Sequence, residues 1–315
     1  MSESYRTLFV VGCPRSGTTW VQLLLSRHPA VATAPETQIF AYYLDHFQRQ
    51  WRHELSGAGR REQGSAGLSR LLSEADFEEL CRLNARLVLD KIAGRRPGAS
   101  LVVEKSPRHA LHAEMIRRLF PDALFLHVVR DPRDTVASLM AAGRGWGAGW
   151  APRNAIEGAR WWREHVHAAR RVREPAAGYR EVRFEELVRA PVAQLQGILE
   201  WLGLPAETTL CEEAVAACEL SKLRDGADAR ALPLPGERSP RGFFRKGAPG
   251  GWRRDLSRTD ARIVEHVCTP LMQELGYAPV MGGNAARPLR IPLHDTLCRL
   301  REAVDWQLQR LSYRI

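Results

Sequence analysis

Residues 7–20, Thr-Leu-Phe-Val-Val-Gly-Cys-Pro-Arg-Ser-Gly-Thr-Thr-Trp, constrain the fold more than any other stretch of this chain. The apolar run Leu8–Val11 reads as a fully buried strand. Gly12 ends it, a tight loop follows through Thr19, and a helix is predicted over 20–27. Strand, glycine-bounded loop and helix N-terminus together form an anion-binding geometry, because loop N–H groups turn inward and the helix dipole adds partial positive charge. The spacing Gly12-x4-Gly17 matches the start of a nucleoside-triphosphate loop. However, Thr18-Thr19 stands where Lys-Ser/Thr would follow. The lysine that would reach the β- and γ-phosphates is missing. Arg15, placed before the second glycine, is the loop's one cation, and Ser16, Thr18 and Thr19 supply hydroxyls. That set suits a short anion better than a metal-bound triphosphate.

Downstream, short apolar runs alternate with helical periodicity. Strands are predicted at Val31–Ala34, Ser100–Glu104, Ala123–Val129 and Tyr179–Phe184. Helices are predicted over 39–55, 74–93, 110–119, 155–173, 192–202, 207–220 and 258–274, with one more starting at Thr135. This alternation predicts an α/β fold: a P-loop-like parallel sheet flanked by helices, in a single domain over 1–280. Chemistry-bearing residues follow the strands, at the edge where open α/β sheets bind ligands. They are Glu36 after the second, Lys105 and His109 after the third, and Arg130 after the fourth. Residues 281–315 read as a linker and an amphipathic helix over 293–311, packed on the domain or at a homodimer contact.

The string Pro14-Arg15-Ser16-Gly17-Thr18-Thr19-Trp20 resembles the 5′-phosphosulfate loop of sulfotransferases that use 3′-phosphoadenosine 5′-phosphosulfate (PAPS). Two further blocks extend the resemblance. Arg130-x7-Ser138 resembles the family's grip on the 3′-phosphate. Arg245-Lys246-Gly247-x2-Gly250-Gly251-Trp252 resembles the loop that closes over the same phosphate, with Gly251 where Asp is commoner. The resemblance implies PAPS as donor and adenosine 3′,5′-bisphosphate as product. It implies nucleotide contacts from Arg15, Ser16, Gly17, Thr18, Thr19, Trp20 (stacked on adenine), Arg130, Ser138, Arg245, Lys246 and Gly247. Phe184 stands where many members carry Tyr.

Sulfuryl transfer to a hydroxyl needs a base for the acceptor proton and cations for the charge that develops. Arg15 and Lys105 are the candidate cations, and no metal is implied. The His that serves as base in the cytosolic branch is replaced by Pro107. The tyrosylprotein branch uses a Glu in the context of Glu36-Thr37, so Glu36 is the expected base and His109 the alternative.

The net charge of +10 is spread along the sequence rather than clustered, which argues against a nucleic-acid binder. The six cysteines form no Cys-x-x-Cys pair. With no signal-peptide pattern and no apolar run of spanning length, the expectation is a cytoplasmic protein without a transmembrane segment. A P-loop kinase or triphosphatase is the competing function. The acceptor is expected to be a small molecule or glycan, with residues 40–51 and the Trp-rich loop 143–150 as candidate walls.

Overall fold

A computed structural model describes residues 5–57, 59, 66–175, 178–219, 223, 243–244 and 247–280. These fall into two compact units, where the sequence reading draws one domain. The first comprises residues up to Arg130 together with Glu164–Pro249, and the second Asp131–Arg163 with the residues from Gly250 onward. The predicted helix over 293–311 lies outside the described residues.

The first unit carries a five-stranded parallel sheet of β1 (Arg6–Val11), β2 (Val31–Thr33), β3 (Leu101–Lys105), β4 (Leu124–Val129) and β5 (Tyr179–Arg183), in the order β2-β3-β1-β4-β5. Every pairing is parallel, so all five C-terminal ends share one edge. The chain fills one side of β1 and then crosses to the other, which makes the C-terminal end of β1 the switch point where such sheets bind ligands.

Strand side chains alternate between two faces. Phe9, Val11, Val102 and Phe125 join a core with α3 (Glu74–Ala93) and α4 (Ala113–Leu119). Leu8, Val10, Val103, Leu126 and Val128 join a second core. Its helices are α1 (Thr18–Ser26), α8 (Pro191–Trp201) and α9 (Thr208–Ala217). With both faces covered, β1 and β4 read as the continuous apolar runs seen in the sequence, whereas edge strand β5 is polar and half-buried.

The predicted helix over 39–55 is a π-helix, Ile39–Leu44, running into α2 (Asp45–Leu55). Its aromatics divide: Phe40 and Trp51 are buried, while Tyr42 and Tyr43 are exposed. The predicted helix over 110–119 begins earlier, as a 3-10 segment over Pro107–His112, because Pro107 pre-sets the first helical φ.

In the second unit, α5 (Pro132–Gly143) packs with α11 (Arg258–Cys268). Pro270 splits the predicted helix over 258–274, leaving α12 (Leu271–Glu274) separate. Asp134 accepts from the Gly250 and Trp252 N–H groups at 2.7 and 2.8 Å. The Arg133 guanidinium binds Asp131 and Glu265 and lies 4.5 Å from the Trp252 ring centroid. Five cysteines are buried thiols, and Cys298 lies outside the described residues. Among the described residues no helix is long and apolar enough to cross a membrane.

Candidate active site

The loop after β1 is held by backbone conformation. Gly12 (φ 153°) passes so close to β4 that a Cβ there would lie 2.5 Å from the Val128 carbonyl oxygen. Arg15 adopts a left-handed φ of 77°, an uncommon and strained choice for a residue with a Cβ. Gly17 (φ 102°) caps α1 with no side-chain hydrogen bond; the Trp20 N–H turns back to the Gly17 carbonyl at 3.0 Å, and the helix start faces the loop with the Thr18 and Thr19 N–H groups. The Ser16 N–H donates to the Cys13 carbonyl at 3.0 Å. The Ser16 hydroxyl is buried and has no hydrogen-bond partner among the described residues. A buried polar group of this kind costs free energy unless a ligand satisfies it.

Around the loop lie two arginines and three aromatic rings. Arg15 donates to the Phe243 carbonyl, and its Cζ sits 4.7 Å from the Phe243 ring centroid. Arg130 donates to the Arg15 carbonyl at 3.3 Å, with its Cζ 4.5 Å from the Phe184 ring centroid. Phe184 is buried against Gly17 and meets Trp20 edge-on at 6.0 Å. Its ring therefore supports the loop and Arg130 from within the core. Trp20 is likewise buried, its indole N–H donating to the Cys218 carbonyl at 2.9 Å.

The second cluster joins the ends of β2 and β3. The buried Lys105 ammonium donates to Glu36 Oε1 at 2.5 Å and to Thr19 Oγ1 at 3.2 Å. It therefore bridges the anion loop and the carboxylate. Gln38 Nε2 holds the other oxygen of Glu36 at 2.7 Å. Glu36 keeps 36% of its side-chain surface exposed, whereas Lys105 keeps 4%.

His109, the alternative base, does not fit that role. It is fully buried, and its Nε2 accepts from the Phe40 N–H at 3.2 Å. The proton therefore sits on Nδ1, which faces Glu104 Oε2 at 2.8 Å. Both nitrogens are buried, one on the Phe40 N–H and the other facing Glu104, so neither is open to an acceptor. The lone His at this spacing belongs to the scaffold.

Reasoning from sequence missed that scaffold. Glu104, a buried carboxylate inside β3, has its carboxyl raised by burial but more than offset by His109 and by the Ser106 and Thr37 hydroxyls, so it sits below the usual range. Gln22 on α1 donates to Thr33 Oγ1 at 2.8 Å and to the Ala34 carbonyl at 2.7 Å, fixing the chain as it leaves β2. The string Glu104-Lys105-Ser106 was the available signal: a carboxylate and a hydroxyl flanking a lysine at a strand end.

Of the other expected contacts, Ser138 is buried in α5 of the second unit. Gly247 has a left-handed φ of 58°. Arg245 and Lys246 lie outside the described residues.

An anion-cradling loop at the switch point of a parallel sheet, linked by an ammonium to a half-exposed carboxylate, is the layout of a group-transfer enzyme with an anionic donor. The chain belongs to the sulfotransferase family, whose model matches residues 7–208. It is 25% identical over 285 residues to protein-tyrosine sulfotransferase 2 of Gallus gallus, covering 88% of this chain and 71% of that protein. It is 24% identical over 296 residues to protein-tyrosine sulfotransferase 1 of Danio rerio, covering 92% and 77%. The fold is shared with mouse sulfotransferase SULT7A1 complexed with PAP (TM-score 0.54, 17% identity, 86% of each chain). It is also shared with the sulfotransferase domain from the curacin biosynthetic pathway (TM-score 0.52, 18% identity, 89% of this chain and all of that one). The kinase or triphosphatase alternative falls with this membership, in keeping with Thr18 at the position of the loop lysine.

Proposed function

We propose that this sulfotransferase moves the sulfuryl group of PAPS to an acceptor hydroxyl, with Glu36 as general base. The observation that carries the reading is the Lys105 bridge, which ties the half-exposed Glu36 carboxylate to the anion loop. The buried, partnerless Ser16 hydroxyl supports an anionic ligand inside that loop. PAPS, when bound, supplies the sulfuryl group and leaves as adenosine 3′,5′-bisphosphate. Arg15, Ser16, Thr18, Thr19 and the first-turn amides of α1 hold its 5′ anion. Arg130 takes the 3′-phosphate. Arg15 does not titrate, so it acts through charge alone.

Glu36 accepts the hydroxyl proton of the acceptor. Protonation removes the anion that faces Lys105, and the ammonium then turns its full charge toward the loop at Thr19. Taking up the proton at one end therefore strengthens charge stabilisation at the other. The acceptor class is a glycan, phenol or lipid-like hydroxyl compound, and the site of action is cytoplasmic.

Two measurements test this. Adenosine 3′,5′-bisphosphate without Mg²⁺ raises the melting temperature of the full chain, and ATP with Mg²⁺ does not. Radiolabelled sulfate passes from PAPS to at least one member of a panel of glycans, phenols and lipids. A thermal response to ATP with Mg²⁺ alone would remove PAPS as the donor.

A further inference from the structure

Four successive amides run into the π-helix: Thr37 just before the cap, Gln38 at the cap, and Ile39 and Phe40 in the first turn, where a helix leaves donors without intrahelical partners. Gln38 caps the helix in a left-handed conformation (φ 53°), and no side chain of the cap residue serves these amides. All four are nevertheless satisfied. The Thr37 N–H donates to Glu104 Oε1 at 3.3 Å, and the Gln38 N–H to Ser106 Oγ at 3.1 Å. The Ile39 N–H donates to Thr37 Oγ1 at 3.3 Å, and the Phe40 N–H to His109 Nε2 at 3.2 Å. Three of the four acceptors come from one string that spans the end of β3, Glu104-Lys105-Ser106-Pro107-Arg108-His109.

The hydrogen bonds run one way. The Thr37 and Ser106 hydroxyls donate to Glu104 Oε1 at 2.9 and 2.7 Å, which leaves their lone pairs for the backbone amides. His109 Nδ1 faces Glu104 Oε2 at 2.8 Å, and its Nε2 accepts from the Phe40 N–H. Glu104 is 1% exposed and receives donors only, so it sits there as a carboxylate. Its charge sets the direction of every hydrogen bond in the group.

We infer that Glu104, with Ser106 and His109, is a cap supplied from across the sheet, and that its function is to position Glu36 for proton transfer. Lys105, inside the same string, and Gln38, inside the capped turn, hold the two oxygens of Glu36. One strand end therefore fixes both the backbone that carries the carboxylate and the carboxylate itself. Glu104, Ser106 and His109 are positioning residues, since all three are buried. The inference rests on the reading of Glu36 as base.

The test uses the full chain, with PAPS and water as the probe reaction. Water takes the sulfuryl group and gives a proton to Glu36, so no acceptor need be known. Glu104→Gln puts an amide donor among groups that already donate. Hydrogen exchange at residues 37–40 should rise at least ten-fold, while exchange at 16–20 stays unchanged. Release of adenosine 3′,5′-bisphosphate should slow ten- to hundred-fold, with KM for PAPS within two-fold. Ser106→Ala, a milder change, should free the Gln38 amide alone and slow release by less. If Glu104→Gln unfolds the chain, Ser106→Ala decides.

In a Glu36→Gln background, Glu104→Gln should add less than a two-fold further loss. Unchanged exchange at 37–40, or a full additional loss in that background, would overturn the positioning role. Near-normal release by Glu36→Gln alone would instead remove Glu36 as base and leave the exchange result standing.

Discussion

The anion loop and the turn that carries Glu36 meet at Lys105, yet they are built by opposite means. Residues 12–19 are consecutive, and their shape is set by backbone conformation at Gly12, Arg15 and Gly17. Residues 36–40 carry one left-handed position, Gln38, and one local hydrogen bond, from the Ile39 N–H to Thr37 Oγ1. Their backbone is held by side chains from a strand that pairs with β2. The first region is arranged to meet an anion, and the second to hold one carboxylate near it. Substitutions should therefore separate affinity from turnover according to the region they touch.

The largest separation is expected from Glu36→Gln. Loss of a general base costs about 10²- to 10⁴-fold in rate. The loop backbone does not depend on that carboxylate, and its loss leaves Lys105 on Thr19, so affinity for adenosine 3′,5′-bisphosphate should hold or rise. Calorimetric titration beside a PAPS turnover assay checks this, and a parallel loss of affinity would merge the two regions into one.

Gly17→Ala strikes the other region. A Cβ there would lie 2.3 Å from the Phe184 ring, on a backbone with φ 102°. Strain and overpacking together should cost about 3 kcal/mol of stability, with nucleotide binding lost as the helix start is displaced. Arg130→Ala leaves the fold in place and removes one charged contact. It should weaken adenosine 3′,5′-bisphosphate binding by about 1.5–3 kcal/mol, with turnover at saturating PAPS little changed. Ser16→Ala is the finest probe of the loop. Its hydroxyl has no partner among the described residues, so removal should hold or raise the melting temperature of the ligand-free chain and weaken nucleotide binding by about 1 kcal/mol. Effects of the same sign on both would show that the hydroxyl is not kept for a ligand.

The same contrast decides what was legible in the sequence. The loop could be read because its determinants are neighbours, and apolar runs alternating with helical periodicity disclosed the parallel sheet. Glu36 and Lys105 could be nominated from their place at strand ends, but their contact could not, since it depends on the order β2-β3-β1. His109 looked reactive in sequence and proved to be structural. Its partners, Glu104 and the Phe40 amide, come from separate segments. Phe184 was expected at the nucleotide, and its ring packs against Gly17 of the loop.

Acid should loosen the region around the turn first. His112 ends the 3-10 segment that begins with Pro107, and burial pushes its imidazole down to about 4 from 6.5, against the opposing pull of Asp45 at 3.8 Å. Burial lowers His127 and His28 as well. A histidine lowered on folding binds fewer protons in the native state than in the unfolded one. Its contribution to stability is therefore complete above pH 6.5 and declines as the pH falls from there toward the folded value. Glu181, held down to about 2 against its own burial by His127 and Arg170, loses its contribution only below 4.5. Urea midpoints should accordingly fall between pH 7 and pH 5, before the carboxylates titrate. His112→Gln should flatten that slope without abolishing it, since His127 and His28 still titrate. A slope unchanged by this substitution would show that His112 is solvated in the native chain and that the cap on the Glu36 turn borders no acid-sensitive packing.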